Sequence, residues 1–335
     1  MPNLQKLLSS GYLLEPGSEK EIEKLSEQQI NFLANLKAKP LMLTKKILEA
    51  VANPKIKLNE KISSQKYTVQ DFVNAYNQRY STLRDALAKN SELKNLVSIG
   101  SAGEGEISVI GMVKEKTEAA GEILLELEDP SGTMKIKIPA NGKAQTILLD
   151  EVIGARGFFS SKTLEAKEIF WPDIPLKETK KSAAPAIVLI APTAELLLKN
   201  FPMQNFNYAI CFEPAQLPPV KIGFLGLKNT SPASAEISSL NFLISPASCQ
   251  KLSEQLMIPE EQILTEFLRR RSLHGQGAVW EQLIENVPDV FVARVSKESV
   301  VENYKGTLLV GVGAGECVLL DLQTREAEVL KRHTT

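Results

Sequence analysis

The spacing of apolar residues changes once, abruptly, in the first half of the chain, and this change constrains the fold most. Before about residue 101 the apolar residues recur at helical spacing. From residue 102 to about 172 they alternate with polar residues in five short segments, EISVIGMVKEK, EILLELED, TMKIKI, VIGARGFF and LEAKEIFW. Alternation with period two predicts half-buried strands, and turn-forming residues separate the segments. Five short strands in about 70 residues favour a small barrel such as an OB-fold.

One amphipathic helix is predicted within residues 67–101, directly before the barrel. Its apolar stripe has helical spacing, and Thr68 is a candidate N-cap. The stripe consists of Val69, Phe72, Val73, Tyr76, Tyr80, Leu83 and Leu87. Arg79 and Arg84 lie beside the stripe. They are interpreted as solvated charges, with a phosphate or partner contact as the alternative.

The barrel segment is rich in aromatic residues near the ends of its predicted strands. These residues are Phe158, Phe159, Phe170 and Trp171. An OB-fold can stack single-stranded bases on exposed aromatic rings, so Phe158 and Trp171 are candidates for contact with nucleic acid or a partner. The aromatic residues cluster at strand ends and are not interleaved with a basic groove. Packing within the fold is therefore the favoured interpretation.

The remaining sequence divides into helical and mixed parts. Within the N-terminal helical part, Ser18 and Glu21 have the spacing of a capping box. The polar stretch that follows lacks periodicity and is predicted to tether this module flexibly. The last part alternates strand and helix patterns, which predicts an α/β domain. The predicted organisation is α+β and multidomain, with a helical module 1–53, a linker 54–66, a helical segment 67–101, an OB-fold 102–175, a linker 176–184 and an α/β domain 185–335.

Charge and cysteine content exclude several classes of protein. Lys and Arg number 39 and Asp and Glu 40, so any contact with nucleic acid or an anionic membrane must come from a local patch. No apolar run approaches the roughly 20 residues that span a bilayer, and no signal peptide is predicted, so a cytoplasmic protein is expected. Cys211, Cys249 and Cys317 are far apart and form no CxxC pair, which favours buried thiols over a zinc site or a disulfide. No cofactor is expected.

Histidine is the most informative residue count. The chain has two, His274 and His333. Imidazole is the commonest metal ligand and the commonest general base. A site that needs several histidines cannot be assembled here, and this excludes most two-metal hydrolase designs. The sequence places no candidate neighbour beside His274, so no Ser/His/Asp arrangement is predicted.

Two short motifs have structural interpretations. GVGAGE, residues 311–316, resembles a dinucleotide-binding loop, but a strand pattern follows it and not a helix, so a hairpin turn is predicted. The run Arg269, Arg270 and Arg271 ends a predicted helix, where basic side chains complement the helix dipole. Contact with phosphate or with an acidic partner surface is the alternative for these arginines.

Several stretches together resemble one protein family. SVIGMVKEKTEAAGEILLELEDPSG, LLDEVIGARG and AKEIFWPDIP are similar to the OB-fold region of the small subunit of archaeal family-D DNA polymerase. VQDFVNAYNQRYSTLRDAL, LLSSGYLLEP, LTEFLRRRSL, NVPDVF and YKGTLLV resemble other parts of that subunit in the same order. The resemblance implies a C-terminal calcineurin-like phosphoesterase domain, which in active members holds two metal ions for 3′→5′ exonuclease activity.

The motifs that carry the metal ligands in that family are not matched here. At the Asp-x-His position after the first strand the chain has Pro192 and Ala194. The isolated His falls near Pro246, and the two His of Gly-His-x-His are replaced by Arg294 and Ser296. The Gly-Asp and Gly-Asn-His segments have no counterpart, so the domain is expected to be shortened and inactivated. Of the replacements, Ser296 alone is even a weak ligand for Mn²⁺.

The sequence supports three alternative hypotheses about function. The leading hypothesis is a non-catalytic scaffold subunit of a family-D-like replicative DNA polymerase, which binds the large catalytic subunit, contacts DNA weakly or indirectly and is not membrane-bound. The second is a stand-alone protein that binds single-stranded nucleic acid through the OB-fold. The third is a residual phosphoesterase in which Arg294 clamps phosphate bidentately.

Overall fold

The computed structural model describes residues 2–58, 68–201, 205–218, 221–227, 232–273 and 283–331. Both histidines, His274 and His333, lie outside these residues, as does most of the predicted linker 54–66. The described parts form a mixed α+β structure with one closed barrel and two larger sheets. Within them, no helix is both long and apolar enough to cross a membrane.

The N-terminal residues form a module of short helices. Tyr12 is buried in it, and its hydroxyl donates a hydrogen bond to the carbonyl oxygen of Leu33 at 2.6 Å. The predicted capping box at Ser18 is wrong, because this side chain caps no amide; the box forms instead between Ser26 and Gln29. The elements are α1 (Pro2–Ser9), β1 (Leu13–Leu14), α2 (Glu19–Glu23), α3 (Glu27–Ala34), β2 (Met42–Leu43), α4 (Lys45–Ala52) and β3 (Ile56–Leu58).

The predicted helix and the five predicted strands are confirmed. Thr68 caps helix α5 (Val69–Leu87) through a capping box with Asp71, and Leu83 and Leu87 are buried against the barrel. The strands close in the order β4-β5-β6-β8-β7, with β6 parallel to β8 and a short helix before β7. The elements are β4 (Gly105–Ala119), β5 (Glu122–Asp129), β6 (Gly132–Pro139), α6 (Gly142–Gln145), β7 (Val152–Ser160) and β8 (Thr163–Phe170). This is the five-stranded Greek-key barrel of an OB-fold.

The C-terminal part contains two sheets. One has the order β11-β10-β9-β17-β18 and the other the order β15-β16-β14-β13-β12-β3. Their elements are β9 (Ile187–Ala191), α7 (Ala194–Asn200), β10 (Tyr208–Cys211), β11 (Gly223–Gly226), β12 (Ala233–Ile237), β13 (Leu240–Ser248), α8 (Gln250–Leu256), α9 (Glu260–Arg270), β14 (Val290–Arg294), β15 (Val300–Tyr304), β16 (Thr307–Val312), β17 (Cys317–Asp321) and β18 (Ala327–Leu330).

The two sheets form the inner layers of a four-layer sandwich. Alternate residues of their strands, such as Val188 and Val292, are buried together between the sheets. The opposite face of the six-stranded sheet, with Phe291, packs against α8 and α9. The opposite face of the five-stranded sheet, with Leu189, packs against the N-terminal helices. Continuously apolar strands such as β9 are explained by this arrangement, because both faces of each sheet are covered.

The first part of the predicted linker is an ordered strand and not a flexible tether. Residues 56–58, within the predicted linker, form β3 and pair antiparallel with β12 at the edge of the six-stranded sheet. The module also shares a buried core with Leu189, Ala209 and Cys211 of the five-stranded sheet. Burial of apolar surface on both elements therefore fixes the module to the C-terminal sandwich.

The GVGAGE motif is a turn between sheets, and the prediction of a hairpin is wrong. Its flanking strands, β16 and β17, lie in different sheets and are not paired with each other. The amide of Glu316 donates to the carbonyl oxygen of Gly313 at 3.2 Å, which closes the turn. The motif thus carries the chain across the sandwich.

All three cysteines are free and buried, as predicted. Burial raises the pKa of Cys249 to about 12, and the nearby Glu260 carboxylate adds to this shift. Burial likewise raises the pKa of Cys317 to about 12. Because the thiolate is the reactive form, these cysteines are structural and not nucleophilic groups.

Candidate functional site

The carboxyl ends of several strands meet at one edge of the sandwich, where the two facing sheets come together. Parallel strands β9 and β10 end at Ala191 and Cys211, and parallel strands β13 and β14 end at Ser248 and Arg294. In open α/β sheets such ends are where binding and catalytic groups gather. The residues that converge here, named the strand-end cluster, are Pro192, Ala194, Phe212, Glu213 and Arg294.

Arg294 bridges the two sheets within this cluster. Its Nη2 donates a hydrogen bond to the carbonyl oxygen of Pro192 at 2.5 Å and lies 3.8 Å from Oε1 of Glu213. The guanidinium also lies over the ring of Phe212, 5.7 Å from its centroid. The structure therefore brings together two sequence-predicted positions, Pro192 and Arg294, that are 102 residues apart.

Glu213 belongs to the cluster but was not predicted from the sequence. Its Oε2 accepts a hydrogen bond from the amide of Ala194 at 3.2 Å, in the first turn of α7. The other carboxylate oxygen faces Arg294. The available signal was a single acidic residue two positions after the buried strand β10, in the sequence CFEP.

The other two predicted positions lie at the edge of the cluster or outside it. Pro246 is buried in β13 at a bulge, where the pairing with β14 shifts between Ser245 and Ser248. A proline lacks an amide donor and is tolerated at such an irregularity. Ser296 is exposed, and its hydroxyl and amide both donate to the carboxylate of Glu260 on α9. Ser296, two residues after β14, therefore connects the end of that strand to α9.

The strand-end cluster does not fit a two-metal centre. Its ionic groups are one carboxylate, Glu213, and one guanidinium, Arg294, which carries no lone pair for a metal. A divalent cation bound at Glu213 would be repelled by the guanidinium 3.8 Å away. In the part of the chain that the structure describes, no three His, Cys, Asp or Glu residues lie close enough together to hold a metal ion.

Replacing Arg294 with methionine should destabilise the protein by about 1–2 kcal/mol, as expected for a charge-assisted hydrogen bond with a half-exposed ion pair. Methionine keeps much of the apolar stem over Phe212 but leaves the Pro192 carbonyl without its donor. Urea unfolding followed by circular dichroism measures the change. Lys297→Met, at an exposed position three residues on, is the control and should change stability by less than about 0.5 kcal/mol.

The arginine run at the end of α9 lies against the barrel, and its middle residue is buried. Arg270 is 3% exposed and forms an ion pair with Glu151, itself 2% exposed, in the loop before β7. Its guanidinium also donates to the Thr146 carbonyl oxygen at 3.0 Å and to Oε2 of Glu266 at 2.9 Å. The indole of Trp171 donates to the same Glu151 carboxylate at 3.2 Å. These groups, named the interface clamp, join the barrel to the C-terminal sandwich.

The two flanking arginines, Arg269 and Arg271, contact the same interface nearer its surface. The guanidinium of Arg269 lies 5.1 Å from the centroid of the Trp171 ring, and that of Arg270 lies 5.0 Å from it. Arg271 donates from Nε to the carbonyl oxygen of Asp173 at 2.8 Å. Burial lowers the pKa of Arg271, and the nearby Asp173 carboxylate opposes that shift. Trp171 is 5% exposed, so its ring packs inside the protein and offers no surface for stacking a base.

Phe158 is placed differently, at the barrel surface with 49% of its area exposed. Its partners across the neighbouring strands are Glu106 on β4 and Glu165 on β8. Glu106 is itself paired with Lys167, Nζ to Oε1 at 3.5 Å, so the side chains around the ring carry both signs of charge and do not form a basic surface. The surroundings of Phe158 therefore favour a protein contact over a nucleic-acid contact.

A groove of about 1190 Å³ runs between the end of α5, the barrel and the sandwich. Arg269, Arg271 and Trp171 of the interface region contribute to its wall. Both basic and acidic side chains line it. They are Lys89, Lys143, Lys167 and Lys305 on one hand, and Asp85, Glu92, Glu168 and Asp173 on the other.

Comparison with known proteins shows what this chain is similar to. No protein-family model matches it. The DNA polymerase II small subunit of Pyrococcus abyssi is 28% identical over 183 residues, 50% of this chain and 29% of that protein. The subunit of Methanothermobacter thermautotrophicus is 32% identical over 130 residues, which cover 36% and 27%. That of Archaeoglobus fulgidus is 36% identical over 120 residues, which cover 34% and 24%.

The chain is similar to archaeal DNA polymerase II small subunits. The predicted resemblance is thereby confirmed. The matched segments span less than a third of the length of these small subunits.

Solved structures resemble about a fifth of the chain. The Schizosaccharomyces pombe Stn1–Ten1 complex has a TM-score of 0.19 and 16% identity, and the match covers 21% of this chain and 60% of that one. A replication protein A heterotrimer bound to single-stranded DNA has a TM-score of 0.18 and 14% identity, with coverage of 21% and 59%. These likenesses are local, and the strand order of the barrel itself defines its fold.

Proposed function

We propose that this protein is a non-catalytic accessory subunit of an archaeal family-D DNA polymerase. The observation that carries the proposal is the combination of similarity to archaeal polymerase small subunits with the Arg294 guanidinium at the strand ends. In this proposal the Arg294 guanidinium lies where a catalytic phosphoesterase would hold metal ions. Without a group that activates water, hydrolysis of a phosphodiester should be negligible.

The sandwich is proposed to be a calcineurin-like phosphoesterase domain that has lost its chemistry. Two facing sheets with helices on both outer sides, and strand ends that converge between the sheets, support this assignment. The proposed domain boundaries remain 102–175 for the OB-fold and 185–335 for the sandwich. The N-terminal module, residues 1–53, supplies the helices that cover the five-stranded sheet.

The partner is proposed to be the large catalytic subunit, and the groove beside the interface clamp is proposed as its docking surface. The clamp holds the barrel and the sandwich in one relative position, so the groove is formed before a partner arrives. A preformed groove lowers the entropic cost of association. Six basic and four acidic side chains line it, and this mixture suits a protein surface that carries both signs of charge.

The purified chain is expected to show no 3′→5′ digestion of a 3′-labelled single strand with Mn²⁺, and a tagged copy should co-purify with a polymerase large subunit from its native cell. The nuclease assay uses Glu213→Gln as a matched variant, because Glu213 is the carboxylate of the strand-end cluster. Digestion that co-elutes with the wild-type chain and is lost in Glu213→Gln would contradict the non-catalytic assignment.

The two other functions have less support. Stand-alone binding of single strands by the OB-fold would need exposed aromatic residues in a basic setting, whereas Trp171 is buried and Phe158 lies between Glu106 and Glu165. A residual phosphoesterase would need Arg294 free to clamp phosphate. The guanidinium is instead occupied by Pro192 and balanced by Glu213.

A further inference from the structure

A second cavity, of about 260 Å³, lies where four parts of the chain meet. Helix α4 contributes Lys46 and Asn53, and the chain into β3 contributes Lys55 and Lys57. The segment before β9 and the turn between β12 and β13 form the other walls. Lys180, from the segment before β9, donates to the carbonyl oxygen of Ser239 in that turn at 2.8 Å. Lys46, Lys55 and Lys57 line this cavity, and Lys180 is bound to Ser239 in its wall; the cavity and these four lysines are named the lysine cleft.

Two of the four lysines lie near a carboxylate and two do not. Lys57 is paired with Glu236, Nζ to Oε1 at 3.2 Å, and this carboxylate lines the cleft. Lys180 also lies 4.0 Å from Asp289, but Lys177 already binds Asp289 at 2.9 Å. Lys46 and Lys55 make no hydrogen bond or ion pair with any residue that the structure describes.

All four lysines are exposed, so their charges can be reached by an anion from solvent. Like charges within a Debye length, about 8 Å at physiological ionic strength, repel each other and oppose the packing of the segments that carry them. The chain as a whole has a net charge of -1, so a general excess of lysine does not explain the cluster. A concave surface with an excess of one sign of charge concentrates oppositely charged ligands.

We propose that the lysine cleft binds the phosphate backbone of DNA, without reading its sequence. This inference rests on the proposed function in a polymerase, which supplies DNA as the phosphate-bearing ligand. Lysines are flexible point charges suited to phosphate contacts, and the nearby Asn53, Ser238 and Ser239 side chains add hydrogen-bonding groups. Tyr208, the aromatic residue of the cleft, is 4% exposed and forms its floor, so no ring stands free to stack a base.

The test is a salt series of DNA binding by the full chain, measured by fluorescence anisotropy with a labelled duplex of mixed sequence. In Lys46→Ala/Lys55→Ala/Lys180→Ala the slope of log affinity against log salt should fall by about 2–3, at roughly 0.9 per lost phosphate contact, and the affinity at low salt by about tenfold or more. Lys57 is left in place because it neutralises Glu236. The control Lys162→Ala/Lys199→Ala/Lys251→Ala removes the same charge from exposed positions elsewhere and should bind as the wild type does.

Four results would overturn the proposal. These are no salt-dependent binding by the wild type, equal loss in both triple variants, binding of poly-glutamate as tight as that of DNA, and binding of inorganic phosphate alone with DNA affinity unchanged in the cleft variant. The third result would indicate an acidic protein partner, and the fourth a small-anion site. The proposed function is tested separately by co-purification of a large subunit, which does not depend on the cleft lysines.

Discussion

Arg270→Ala is expected to destabilise the protein by about 3–5 kcal/mol, the usual cost of removing one partner from a buried ion pair. The substitution leaves the carboxylate of Glu151, 2% exposed, without its cation in the interior. It also leaves the carbonyl oxygen of Thr146 without its donor and removes one of the two arginines that pair with Glu266. Urea unfolding followed by far-ultraviolet circular dichroism measures the loss. Hydrogen exchange should show the loop 146–151 opening first, because its contacts cross to α9.

Arg269→Ala is the matched control at the neighbouring position. Arg269 is a third exposed, pairs with Glu266 at 3.1 Å and lies over Trp171, so its removal should cost about 1 kcal/mol. The double variant Glu151→Ala/Arg270→Ala should cost clearly less than the sum of the two single changes, because both remove the same pair. Equal effects of Arg269→Ala and Arg270→Ala would show that the buried pair does not hold the two parts together.

The barrel could be predicted because its signals are local. Alternating residues define each strand, and the turn after β5 is encoded in four residues: the Asp129 carboxylate accepts hydrogen bonds from the amides of Ser131 and Gly132 at 2.7 and 3.0 Å. The helix α5 was predictable for the same reason, since Thr68 and Asp71 form its capping box within one turn. Interactions between residues this close in sequence need no knowledge of the fold.

The candidate sites depend on contacts that no local pattern contains. Arg294 and Glu213 are 81 residues apart and meet because β10 and β14 lie in two facing sheets. Packing was the favoured prediction for Trp171, but the sequence did not show that its ring packs under Arg269 and Arg270, about 100 residues later. The strand β3 has three residues in a polar stretch, and it forms because the edge of β12 is available to it. The resemblance to a family supplied the predicted ligand positions, but not the contacts that the residues there make.

Leu189→Ala should destabilise the protein by about 2–5 kcal/mol, the cost of truncating a fully buried leucine and leaving a cavity. Leu189 is 0% exposed and belongs to the face of β9 that the N-terminal helices cover, together with Leu33 and Leu48. Urea unfolding should show one transition, because the module and the sandwich share this core. Leu41→Ala, at a leucine of the same module that is 79% exposed, is the control and should change stability by less than about 0.5 kcal/mol.

The result separates two arrangements of the N-terminal module. If the module were only tethered through the segment before α5, the Leu189 side chain would face solvent much of the time. Its truncation would then cost little, and the module would unfold in a transition of its own. A cost of several kcal/mol in a single transition requires instead that the helices stay on the sheet, because the cavity penalty arises only where neighbouring atoms remain fixed around the removed group.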